Sequence, residues 1–198
     1  MLVQVVLFDG FDPLDVVAPY EVLAAGRLTA ELVSAEGARD VPSGMGLLSL
    51  RAVSRLDPSG ADIVVVPGAL GSIPDGITEA LGRTLGTPLP GLLAEALNRP
   101  DVTVATVCGG SMILALAGLI KGRSATTHWM GLEALAANGV QVVDARVVDD
   151  GDLVSAGAVT SGLDLALYLL EREFGSQAAI EAERLIAYER RGTVSRRD

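Results

Sequence analysis

The stretch TVATVCGGSMILALAGLI, residues 103–120, decides how the chain is read. A β-branched, apolar run from Val102 to Val107 stops at Cys108; Gly109 and Gly110 follow, and an apolar run of helical character begins at Ser111. That order is strand, tight elbow, helix. Such an elbow lifts one side chain off the carboxyl edge of a sheet and aims it at an incoming helix N-terminus, where backbone N–H groups are unpaired and the macrodipole is positive. A thiol held there is expected to be partly thiolate, and the two glycines are expected to supply positive φ or close backbone approach. Cys108 is therefore the predicted nucleophile. A cysteine that merely packs as a small hydrophobe needs neither the glycines nor a strand-to-helix handover, which is where open α/β sheets keep their sites.

The flanking chain repeats the alternation. LVQVVLF (2–8) is a continuous apolar run and reads as a buried parallel strand. In the following DGFDPLDVVAPYEVLAAG, Asp12 suits an N-cap, Pro13 the first helical position, and Asp15 the third, where a carboxylate can fold back in a capping box. Pro19 predicts a kink or early break. AELVSA (30–35) is a second strand, and residues 38–56 read as a loop with one or two short edge strands. ADIVVVPGALG places a strand at 62–66 ahead of a Pro67-Gly68 turn whose amides can point back over the sheet edge. SIPDGITEALGRTLGTPLPG (72–91) reads as a surface excursion, and a helix follows at 89–98. After the elbow come ATTHW, a helix ending at Asn138-Gly139, a hairpin about Asp150-Gly151, a helix capped by Thr160 or Ser161, and a last helix over SQAAIEAERLIAYERR. Residues 190–198 are expected to fray.

Strands apolar on both faces and alternating with helices predict an α/β, flavodoxin-like three-layer sandwich with a mostly parallel central sheet, in one domain over 1–198. Its crevice should gather the carboxyl ends of the strands at 2–8, 62–66 and 102–107, so that Asp15, the Gly68-Ala69 turn and Cys108 share one pocket.

Composition narrows the partners. The formal net charge of −10 opposes a nucleic-acid groove or an anionic membrane surface, both of which call for a positive face. One cysteine cannot form an internal disulfide, and the N-terminus shows no basic leader, so a cytoplasmic location is expected. The longest apolar runs fall well short of the roughly 20 residues that span a bilayer. A single His with a single Cys makes a structural zinc site improbable, and neither metal nor organic cofactor is expected.

The segments LFDGFDPLDVVAPYEVL, DIVVVPG, VATVCGGSMILALAGLIKGRSATTHW and VVDDGDLVSAGAVTSGLDLALYLL together resemble the ThiJ/PfpI superfamily, related to the class I glutamine amidotransferase domain. Leu14-Asp15, the cysteine elbow and ATTHW most resemble its isonitrile (isocyanide) hydratase group and the amidotransferase-like domain of certain AraC-type regulators. The resemblance implies Cys108 as nucleophile, Asp15 as its acidic partner, and the N–H groups of Ala69 and Gly109 as oxyanion-type donors. Gly68, Gly110, Thr127, His128 and Trp129 are expected to wall the pocket. Peptidase-like members carry His directly after the cysteine and isonitrile hydratases typically Thr; here it is Gly109. The matching histidine commonly lies near the pocket without acting as base, so His128 is either a dyad partner or a packed wall residue.

The implied chemistry is addition of the Cys108 thiolate to the terminal carbon of an isonitrile, giving a thioimidate that water converts to an N-substituted formamide, with Asp15 as proton shuttle and its pKa expected to be raised by desolvation. The alternatives are a cofactor-free glyoxalase or deglycase acting on α-oxo-aldehydes, and a cysteine redox or ligand sensor. With the sequence ending at Asp198, a DNA-binding module after this domain is not expected. A homodimer is expected, with Ile180, Leu185 and Ile186 of the last helix available to a partner.

Overall fold

The computed structural model describes residues 1–71 and 75–196. In chain order the elements are β1 (Leu2–Leu7), α1 (Pro13–Ala25), β2 (Thr29–Ser34), β3 (Arg39–Pro42), β4 (Ser49–Ala52), β5 (Ser54–Arg55), β6 (Ile63–Val66), α2 (Asp75–Thr84), α3 (Leu89–Leu97) and β7 (Thr103–Val107). Then follow α4 (Gly110–Leu116), β8 (Ser124–Ala125), a 3-10 turn (Trp129–Gly131), α5 (Leu132–Ala137), β9 (Gln141–Val142), β10 (Val147–Asp149), β11 (Leu153–Ala156), α6 (Ser161–Phe174), α7 (Ser176–Ile186) and β12 (Val194–Arg196).

Eight strands form one sheet in the order β12-β10-β11-β7-β6-β1-β2-β5. Among the described residues only the β10–β11 hairpin pairs antiparallel within it. The registers Val3↔Ile63 and Val64↔Val104 bring β1, β6 and β7 side by side, and nearly every residue of these strands is buried, as continuous apolar runs require of a sheet covered on both faces. The helices pack in two groups, α1 with α6 and α7, and α4 with α2, α3 and α5, which makes the α/β sandwich three layers deep. The chain leaves β1 toward β2 on one side and returns with β6 on the other. The carboxyl ends of β1, β6 and β7 therefore flank a topological switch point, where such sheets place their crevice.

Four local readings change. Helix α1 runs unbroken through Pro19 to Ala25: the ring is buried against Gly162 of α6, and this packing offsets the hydrogen bond that proline withholds from the Asp15 carbonyl. The capping box does not form; Asp12 alone caps, accepting the Leu14 N–H at 3.0 Å, and the Asp15 side chain turns inward. Part of the supposed surface excursion is helix α2, which buries Ala80 and Leu81 despite its Gly and Thr content; Ser72, Ile73 and Pro74 lie outside the described residues.

The expected frayed tail is also held. Buried Asp164 accepts the Arg191 N–H at 2.6 Å, Arg190 pairs with Glu183 and Glu171, and Arg196 lies 5.3 Å over the Tyr168 ring. These contacts deliver Val194–Arg196 to the edge of the sheet as β12, parallel to β10; Arg197 and Asp198 are outside the described residues.

Candidate active site

The site is built on the strained turn at Cys108. Its backbone adopts φ +54°, a conformation that L residues adopt only where the surroundings enforce it. Two buried bonds hold it: the Cys108 N–H donates to the Ala156 carbonyl at 3.0 Å, and the Thr127 hydroxyl donates to the Cys108 carbonyl at 2.7 Å. A third contact ties the strand to the helix beyond, where the Thr106 and Ser111 hydroxyls meet at 2.6 Å in the core.

The glycines around the elbow have different jobs. A Cβ on Gly110 would lie 2.2 Å from the Val66 carbonyl oxygen, so α4 can start against β6 only with glycine there. A Cβ on Gly68 would lie 2.5 Å from the Gly109 nitrogen and 2.8 Å from Asp15 Oδ2, so Gly68 is what lets α1, the β6 turn and the elbow converge. Gly109 needs neither freedom: its φ is −69°, and a Cβ would make ordinary contacts of 3.4–3.7 Å. The positive φ expected of the glycine pair belongs to the cysteine itself.

Asp15 is 0% exposed, and its Oδ2 accepts the Gly68 N–H at 2.9 Å. Gly68 also accepts the Asp12 N–H at 2.9 Å, which clamps the start of α1 onto the turn after β6. Asp15 Oδ1 has no hydrogen bond among the described residues, and the Cys108 thiol is among the groups that act on the carboxyl. Burial, with the Asp12 charge added, holds the Asp15 carboxyl well above the usual carboxylate range.

The same environment works against the expected thiolate. Cys108 is only 7% exposed. Desolvation, then the charge of Asp15, push its thiol above the ordinary range, and the Gly109 N–H offsets this only in part. One amide dipole does not compensate for removing a sulfur anion from water and setting it beside carboxylates.

Asp15, Gly68, Ala69, Gly109, Gly110, Thr127 and Cys108 are thus gathered at the carboxyl ends of three adjacent strands. The Ala69 N–H donates to no other described residue, and the Gly109 N–H faces the sulfur. His128 and Trp129 stand apart. No hydrogen bond or electrostatic contact among the described residues joins His128 to Cys108; its Nδ1 accepts the Met130 N–H at 3.3 Å, and desolvation lowers its pKa. Trp129 is 69% exposed and stacks at a tilt on His128, because it opens a 3-10 turn that projects from the sheet edge. The sequence reading did not use Asp12 as an electrostatic neighbour or Leu81 as a cover for the elbow. Asp12 was legible as a second acid three residues before Asp15, whereas Leu81 lies on the helix hidden in the supposed excursion.

The arrangement can hold a thiol proton and a carboxyl proton within one relay, and it presents unpaired backbone donors beside the sulfur. The chain is similar to several known proteins. The chain is 34% identical over 173 residues to the isonitrile hydratase of Pseudomonas putida, covering 87% of this chain and 72% of that protein. It is 26% identical over 179 residues to protein DJ-1 homolog A of Arabidopsis thaliana, covering 89% of this chain and 44% of that protein. The crystal structure of Drosophila melanogaster DJ-1beta has the same fold, with a TM-score of 0.79 at 21% identity over 96% of this chain and 98% of that one. The description of the DJ-1/PfpI family matches residues 1–172, taking in the β1–α1 acid, the β6 turn and the cysteine elbow together. By that match, this chain belongs to the DJ-1/PfpI family.

Proposed function

We propose that the protein is a cofactor-free isonitrile hydratase in which Cys108 is the nucleophile and Asp15 the proton relay. The observation that carries this reading is a fully buried carboxyl, with Oδ2 on the Gly68 N–H and Oδ1 without a hydrogen bond among the described residues, beside the Cys108 thiol at a strained strand-to-helix elbow. The S–H bond breaks, sulfur bonds to the terminal carbon of R–NC, and that carbon gains a hydrogen, giving the thioimidate R–N=CH–S. Asp15 accepts the thiol proton and supplies one to carbon, ending as it began. Water then adds to the C=N carbon, nitrogen takes a proton, and collapse of the adduct returns the thiol and releases R–NH–CHO.

The N–H groups of Ala69 and Gly109 serve the nitrogen as it becomes basic in the second half. One such donor is worth about 2.7–4 kcal/mol in acyl transfer. The 34% identity to an isonitrile hydratase supports the same reaction class.

The reaction is tested by following formation of N-butylformamide from n-butyl isonitrile, with methylglyoxal assayed in parallel. Turnover of the isonitrile by the wild type and its loss in Cys108→Ala is the expected result; consumption of methylglyoxal alone overturns the reading.

We also infer a cytoplasmic homodimer. Among the described residues no helix is long and apolar enough to cross a membrane. Leu185 of α7 is 71% exposed, and Leu14 and Val17 of α1 are exposed as well, although Ile180 and Ile186 are half-buried within the protomer. Light scattering at a mass of two chains is expected, and a single-chain mass contradicts it.

A further inference from the structure

Both bonds that hold the strained Cys108 backbone lead to the end of β11. The Cys108 N–H meets the Ala156 carbonyl at 3.0 Å. Thr127, whose hydroxyl grips the Cys108 carbonyl, follows Thr126, whose N–H donates to the Ser155 hydroxyl at 2.9 Å in the core. Where Ser155 and Ala156 lie therefore sets where the sulfur points. On one side they pair with Thr106 and Val107 of β7, the strand that runs into the elbow. On the other side β10 contributes only three residues, and the ladder closes with the Gly157 N–H donating to the Arg146 carbonyl at 3.1 Å.

Arg146, just ahead of β10, is itself locked. Its Nε donates to Asp164 Oδ2 on α6 at 2.5 Å, and its Nη2 donates to the Thr160 hydroxyl at 3.1 Å and to the Tyr188 hydroxyl at 3.3 Å. Asp164 is 3% exposed and takes two further donors, the Tyr188 hydroxyl at 2.9 Å and the Arg191 N–H at 2.6 Å. One buried carboxylate thus ties the entry of β10 to α6 and to the chain after α7. Such a pair adds little stability over apolar packing of the same volume, because desolvation offsets its attraction. What it supplies is direction, since a planar fork fits its acceptors in one orientation.

We propose that the Arg146–Asp164 pair is a positioning device for the nucleophile: it fixes the end of β11 and, through the Ala156 carbonyl and the Thr126–Thr127 segment, the angle at which the elbow presents the Cys108 sulfur. Both are positioning residues and touch no reacting atom. The proposal rests on the reading of Cys108 as nucleophile, but not on an isonitrile as its substrate.

The fold supplies a control. Arg172 joins the same two elements, α6 and the β10–β11 hairpin, at the opposite end of the sheet, donating to the Gly151 carbonyl at 3.0 Å, and it also reaches the Thr103 hydroxyl at 2.6 Å. Arg146→Lys and Arg172→Lys both keep the charge and lose the fork. A misplacement of about 1 Å costs on the order of 10²-fold in rate. With n-butyl isonitrile, kcat of Arg146→Lys is therefore expected to fall at least about tenfold while KM stays within about threefold, and Arg172→Lys is expected to hold both within about threefold. A wild-type kcat in Arg146→Lys, or equal losses in the two variants, overturns the proposal.

Alkylation of Cys108 by iodoacetamide, followed against pH well below the melting temperature, reads the elbow without turnover. A loosened elbow lets water reach the sulfur, so the rise in rate is expected at least about one pH unit lower in Arg146→Lys than in the wild type, about a tenfold gain in thiolate at a given pH. Arg172→Lys should superimpose on the wild type. An unmoved profile in Arg146→Lys, or the same movement in both variants, overturns the proposal. Asp164→Asn breaks the pair from the other side; it is expected to repeat both results, and it decides the matter where Arg146→Lys does not fold. If the wild type hydrates no isonitrile but the profile moves in Arg146→Lys alone, the hydratase reading falls while the positioning role stands.

Discussion

Replacing Asp15 by Asn separates the chemistry of this carboxyl from its place in the fold. Asn keeps an acceptor for the Gly68 N–H, now 2.9 Å from Oδ2, and the cap of α1 belongs to Asp12, so the backbone bonds around the site survive. What disappears is an ionisable group held well above the usual carboxylate range by burial and the Asp12 charge. The unfolded chain releases this proton near the ordinary Asp value of about 3.9. The folded protein keeps it to higher pH. Between those limits the folded state binds more protons, so stability falls as pH rises from about 4 toward the folded pKa, with a slope of at most about 1.4 kcal/mol per pH unit for one proton. Asp15→Asn removes that slope.

Urea unfolding of both proteins at about pH 4.5, 6 and 7.5 should therefore show the variant gaining on the wild type as pH increases. Over the same samples, formamide production should fall about 10²–10⁴-fold, the usual worth of a positioned proton relay. Parallel stability curves would refute the raised carboxyl pKa. Turnover within about threefold of the wild type would refute the relay, since that is far below what such a group contributes.

Other perturbations probe the frame. Gly110→Ala drives a methyl to 2.2 Å from the Val66 carbonyl oxygen and should cost ~3 kcal/mol in denaturant unfolding. Thr127→Val strands the Cys108 carbonyl and should cost about 1–3 kcal/mol, with turnover falling as the elbow loosens. Thiolate absorbance in the ultraviolet should develop only above the ordinary thiol value of about 8.5, because burial raises the Cys108 pKa. His128→Ala should leave turnover intact across about pH 5.5–7.5, because the imidazole touches neither reacting group.

Much of this was legible in the chain because it rests on local pattern. LVQVVLF, DIVVV and TVATV are continuous apolar runs, and each became a central strand; Asp12-Pro13 marked the start of α1, and Cys108-Gly109-Gly110 the elbow. What escaped depends on partners far away in sequence. Pro19 stays helical because Gly162 makes room for it, and Arg190 and Arg191 are ordered by Glu171, Glu183 and Asp164. The raised pKa of the thiol, unlike that of Asp15, escaped for the same reason. The amide dipole at the elbow is a local feature, whereas the desolvation that overrides it comes from burial by the whole fold. Asp15, which looks like half of a capping box, becomes the acidic partner only because Gly68 lets a turn 53 residues away approach it.

The central claim is covalent and can be weighed directly. Addition of a thiol to an isonitrile expels nothing, so intact-protein mass spectrometry of a rapidly quenched first turnover should show a gain equal to the full mass of the isonitrile, mapped to Cys108. The account predicts that this adduct appears before the formamide and is absent in Cys108→Ala. Formamide accumulating at the same rate without any adduct, or in the Cys108→Ala protein, would contradict it.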